Sequence, residues 1–207
     1  MFKKKIFIII AMVILLIPIV FIVKNKINVN FENLSIIDQK MLAEYDKFYK
    51  ETQEKEIWRD FNLKDKTILA INGKFGEAYL INPKEKVNNI FTKEIKLPTN
   101  FSITVYRVSN IAPEVLKLIF DGNFNSIDKK YNVYGQDVYY VRYNKTSIEQ
   151  QFTSQHFITF LSHEAFHYYM QKNGQMVQLM IYQIYLKLEK AYCLMSMKCL
   201  VKSKKSF

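Results

Sequence analysis

Three histidines occur in this chain of 207 residues, and two of them stand four apart with a glutamate directly after the first: His163-Glu164-Ala165-Phe166-His167. On a helix that spacing puts both imidazoles on one face, one turn apart, where they can grip a single Zn²⁺ at about 2.0 to 2.1 Å each. Glu164, beside the first ligand, is placed to take a proton from a water that the metal activates, so the pattern reads as general base plus Lewis acid. From Phe160 to Tyr169 there is no proline, no glycine and no charge but Glu164, as a buried active-site helix requires. The bland alternative is a pair of ordinary helix histidines satisfied by hydrogen bonds.

The helix that must position these residues is expected to begin between Ser147 and Ser154 and to end before Gly174, a natural residue just past a helix end. At 100° per residue with His163 at zero, His167 lies at about 40°, His156 at about 20° and Phe160 at about 60°. Phe157, Ile158, Leu161, Ala165 and Tyr168 fall between about 120° and 220°, so one face is core and the other carries the histidines. His156 shares the metal face but sits about 10.5 Å earlier along the axis, too far to join the same ion, and reads as cleft lining or structural. A catalytic zinc needs a third protein ligand. The longer pattern with a third histidine fails, because Met170 stands where glycine is required and Asn173 where the histidine belongs. After Glu164 the chain offers one carboxylate, Glu189.

These residues resemble the zincin metallopeptidases, and within them the thermolysin-like gluzincins, as a membrane-anchored bacterial type. The resemblance covers the helix Ser154 to Asn173 and, more loosely, a downstream helix holding Glu189, 22 residues past His167. It implies His163 and His167 as zinc ligands, Glu164 as base and Glu189 as third ligand, on an α+β fold whose sheet edge receives an extended peptide. Gluzincins commonly carry an acidic residue four positions after the ligand glutamate, where this chain has Cys193. Glu189 has a second reading, a solvated helix carboxylate between Lys187 and Lys190. Candidates to hold a developing oxyanion are Tyr168, Tyr182, Tyr185 and His156.

The formal charge of +11 suggests nucleic acid until it is located. Five lysines lie in residues 1 to 26 and six in residues 187 to 207, leaving the body nearly balanced with 19 basic and 18 acidic residues. No basic face is left for nucleic-acid binding. Cys193 and Cys199, six apart, would point about 120° away from each other on a helix and read as unpaired thiols.

Lys3, Lys4 and Lys5 precede an unbroken apolar run from Ile6 to Val23, followed by Lys24 and Lys26. Eighteen residues rise about 27 Å, close to the hydrocarbon core of about 30 Å, so an uncleaved N-terminal transmembrane signal anchor over residues 1–26 is expected, with cleavage and secretion as the alternative. The lysine bias would keep the N-terminus cytoplasmic and face the domain of residues 27–207 outward.

Along the body, a helix is expected from Ser35 towards Trp58, with its charges on a solvated face. Strands are expected at Thr67–Ile71, Glu77–Ile81, Phe101–Val108 and Val138–Tyr143, with turns at Asn72–Gly76 and Tyr134–Asp137, and a short helix opened by Pro113. From Gln175 onward one acid, six lysines and a dense run of Met, Leu, Ile and Tyr suggest a truncated or frame-shifted C-terminal helical part. The expectation is thus α+β: an N-terminal transmembrane helix, then a zincin-like domain with a mixed or antiparallel sheet and an H-E-x-x-H helix. Its function would be that of an extracytoplasmic zinc peptidase acting on a peptide or protein. The rivals are an inactive zincin-like anchored module that binds a partner or envelope component, and a zinc hydrolase acting on a non-peptide bond.

Overall fold

Thr67–Asn72 is a run of β-branched and aliphatic side chains that suits a fully buried strand, β1. It ends in Asn72-Gly73, where Gly73 takes φ +61° and the Asn72 amide donates to the Glu77 carbonyl at 2.9 Å. A Cβ at Gly76 would lie 2.1 Å from the Asn72 carbonyl oxygen, so only glycine closes this turn. The chain thereby reverses into β2, Ala78–Ile81, which Asn82 terminates in a left-handed conformation at φ 49°. The remaining strands are β3 (Thr92–Glu94), β4 (Val105–Val108), β5 (Tyr131–Val133) and β6 (Gln136–Tyr143).

The computed structural model describes residues 2–27, 29–53 and 61–170. The chain divides into two compact units, Met1–Tyr168 and Tyr169–Phe207. The first unit is α+β, built on one mixed sheet in the order β3-β4-β2-β1-β6-β5. One pair, β1 with β6, is parallel, in register from Thr67↔Val138 to Asn72↔Tyr143, and every other strand pair is antiparallel.

One face of the sheet, with Leu69, Ile71, Leu80, Val108, Val138 and Tyr140, packs against Val115 and Leu118 from the short helix α3 (Pro113–Leu116) and the turn after it. The opposite face presents Tyr79, Tyr139 and Tyr143 to two longer helices, α2 (Ile36–Gln53) and α5 (Phe157–Met170). Ser35 caps α2 by accepting from the Asp38 amide at 3.2 Å, and Met41, Leu42 and Tyr45 are fully buried beneath it. Asp38 itself turns inward and is 2% exposed. Its carboxylate accepts from Asn72 Nδ2 at 2.8 Å and Tyr79 OH at 2.9 Å, and also from Tyr143 OH, tying α2 to three strands. The expected extension of α2 to Trp58 lies outside the described residues.

The N-terminal segment requires a correction. It forms a helix, α1 (Phe2–Lys26), but among the described residues no helix is long and apolar enough to cross a membrane. The transmembrane helix expected from the sequence is therefore withdrawn, and α1 is a helix without a membrane assignment. Its last turn is fastened to the sheet: Asn25 is buried and donates to the Phe91 carbonyl at 2.9 Å, and Lys24 pairs with Glu77 at 3.3 Å.

A second correction concerns the helix bearing the histidines. The single long helix starting between Ser147 and Ser154 is instead two. Asn144 and Ser147 form a reciprocal capping box that opens α4 (Lys145–Glu149). Phe152 then adopts φ +67°, a left-handed conformation that no α-helix can propagate through. α5 begins only at Phe157.

Candidate metal centre

α5 lies on the sheet through the residues its periodicity assigns to the core: Phe157, Ile158, Leu161, Ala165 and Tyr168 are all buried. Tyr143 meets the Phe157 ring at 5.5 Å and Tyr139 meets Tyr168 at 5.4 Å, both edge-on. The opposite side carries His163, exposed, with Glu164 and His167 half-buried.

The two imidazoles turn toward each other. His163 Nε2 and His167 Nε2 are 3.0 Å apart, with ring centroids separated by 4.5 Å. Two tetrahedral ligands each about 2.05 Å from one zinc ion lie about 3.4 Å apart, so a shift of a few tenths of an ångström satisfies zinc. The same distance also suits one N–H donating to the other ring's lone pair. Burial and then the neighbouring His167 hold the His163 imidazole below its ordinary titration range, with Glu164 acting against them. Neutral imidazole is the form that ligates a metal. Glu164 makes no hydrogen bond or ion pair among the described residues, which leaves its carboxylate available for proton transfer. The donor set of two nitrogens and an adjacent carboxylate therefore fits zinc as far as it goes.

It does not extend to a third ligand among the described residues. Among the described residues no group of three or more His, Cys, Asp or Glu is placed to hold a metal ion. Glu189, the expected third ligand, lies outside the described residues, as do Gly174, Tyr182, Tyr185, Cys193 and Cys199.

Two oxyanion candidates are accounted for otherwise. Tyr168 is buried and donates its hydroxyl to the Lys129 carbonyl at 3.1 Å, because its position on α5 belongs to the sheet-facing side. His156 does not share the exposed face either: it precedes the first helical residue, offers its carbonyl to the Phe160 amide at 2.8 Å, and is 6% exposed with Nε2 3.1 Å from Glu44 Oε2. The angular extrapolation put it on the histidine face two turns earlier; α5 begins only at Phe157, and the buried ring beside Glu44 fits the structural reading of it. Asp38, the most heavily hydrogen-bonded carboxylate nearby, carried no sequence signal beyond its place near a helix start.

No family model matches the chain, and no curated protein and no solved structure is significantly similar to it.

Proposed function

We propose that the chain is a zinc-dependent peptidase in which His163 and His167 hold the metal and Glu164 is the general base. The observation that supports this most is the convergence of the two Nε2 atoms to 3.0 Å on the outer side of a core-packed helix, with Glu164 adjacent and unpaired among the described residues. When bound, zinc supplies a Lewis acid that polarises a carbonyl and lowers the pKa of water towards about 7. Glu164 accepts the proton of the attacking water and delivers it to the leaving amine. The two histidines enter this chemistry as neutral rings, and their fixed spacing on one helical turn means that little reorganisation accompanies metal capture. Glu189 is the proposed third ligand by the same resemblance that suggested it.

The test is zinc stoichiometry of the purified chain together with hydrolysis of a peptide library. Bound zinc with hydrolysis that disappears in Glu164→Gln supports the reading; full activity in that variant overturns the mechanism. A second reading, a non-catalytic module on a zincin-like scaffold, is favoured by the lack of a third donor among the described residues. Purified protein without zinc, whose melting temperature is unmoved by chelator, would decide for it.

A further inference from the structure

Tyr168 follows the second histidine directly, and its hydroxyl reaches across to the Lys129 carbonyl. One turn before His163, Phe160 packs its ring edge-on against Phe124 at 5.3 Å. The segment of residues 124–129 therefore touches α5 at two points that bracket the candidate centre. In azimuth, Phe160 lies at about 60° and Tyr168 at about 140° from His163, which leaves Glu164, at about 100°, midway between them. Along the axis the two contacts are about 12 Å apart and Glu164 again lies between them.

The segment is shaped for this. Its first part is fastened to β6: Asn123 accepts from the Arg142 amide at 2.7 Å, and the buried Asn125 side chain donates to the Val138 carbonyl at 3.2 Å and accepts from the Tyr140 amide at 2.8 Å. Its second part is a turn closed by the Lys129 amide donating to the Ser126 carbonyl at 3.1 Å, with Ile127 and Asp128 exposed at the tip. Two extended residues and a turn of under about 7 Å reach roughly 13 to 14 Å, just enough to cover the distance between the contacts. Arg142 secures the approach by donating to the Leu118 and Gly122 carbonyls, and the Lys129 side chain is held by Asp121 at 2.9 Å.

We propose that residues 124–129 are a strap across α5 on the Glu164 side, and that Tyr168 is a positioning residue whose hydroxyl clasps it. Resting on the peptidase reading, the strap forms the wall against which a bound peptide and the Glu164 carboxylate are aligned. Tyr168→Phe keeps the ring contact with Tyr139 and removes the hydroxyl's bond to the Lys129 carbonyl.

The experiment compares the zinc-loaded wild-type chain with Tyr168→Phe by amide hydrogen exchange and by steady-state hydrolysis of the best peptide from the library. The expected result is exchange at least ten-fold faster at the amides of residues 126–130, unchanged zinc stoichiometry, and a five- to ten-fold fall in kcat/KM carried mainly by KM. Unchanged exchange at those amides overturns the clasp. Faster exchange with unchanged kcat and KM overturns the positioning role, as does an activity loss that only tracks a fall in folded fraction. In both cases Glu164-dependent hydrolysis by the wild type would leave the peptidase reading standing. Absence of zinc and of Glu164-dependent hydrolysis in the wild type would end both.

Discussion

Two polar clusters flank the same sheet face and are finished differently. Around Asp38 every strong group is matched: Asn72, Tyr79 and Tyr143 all donate to one buried carboxylate. Around His163, which is exposed, two imidazole nitrogens lie 3.0 Å apart with the half-buried Glu164 beside them. A saturated cluster can only hold the fold together, since a ligand would have to displace bonds already made. One that sets two ring nitrogens 3.0 Å apart on the outer side of a helix is arranged for something brought from outside.

The contrast predicts opposite responses to substitution. Glu164→Gln should lower peptide hydrolysis by about 10² to 10⁴ while zinc content and melting temperature stay as they were, as initial rates and metal analysis will show. His163→Ala should abolish stoichiometric zinc binding yet change the metal-free chain's stability by less than about 0.5 kcal/mol, because the side chain is exposed. Asp38→Ala should do the reverse. It strands two tyrosine hydroxyls and an amide in the interior, a cost of about 3 kcal/mol or more in urea denaturation. If Asp38→Ala instead removed zinc without destabilising the chain, the division between scaffold and site would be wrong.

The smallest effect concerns the border of the saturated cluster. Burial pushes the Glu77 carboxyl up, but the hydrogen bonds and charge of Arg107, helped by Lys24, outweigh it and hold the group below the usual carboxylate range. A carboxyl that titrates lower when folded contributes stability that is complete above its unfolded value of about 4.3 and is lost as pH falls through the folded value. Arg107→Met should therefore flatten the stability curve below about pH 5 and leave zinc binding unchanged, measured by denaturation across pH.

How much of this could be seen in the chain itself depends on the range of the interactions. The H-E-x-x-H pair, the core face of α5 and the β1–β2 turn were legible because each is fixed within about two turns or five residues. The strand expected over Phe101–Val108 begins only at Val105, because Asp46 takes the Ser102 amide at 2.7 Å and Asn82 the Thr104 amide at 3.0 Å. Those acceptors lie 56 and 22 residues away, and no local pattern announces them. β3 and β5, of three residues each, are too short to show alternation. His156 was misplaced because an unanticipated left-handed Phe152 and a capped α4 delay the helix to Phe157. The parallel pairing of β1 with β6 has no sequence signature at all.

That pairing also sets an order of events. Thr67 finds Val138 only after the intervening 70 residues have been made and folded back, and this pairing is what joins β5 and β6 to the rest of the sheet. Closing so long a loop is entropically costly, and such non-local contacts slow folding. α5 docks on β6, so the surface that seats the histidines does not exist until this closure has occurred. During synthesis the chain would carry His163 and His167 as separate, metal-accessible side chains before it could hold them in register. On the zinc reading proposed above, capture of the ion would be a late step of maturation, and a chain starved of zinc while folding should still build its sheet first.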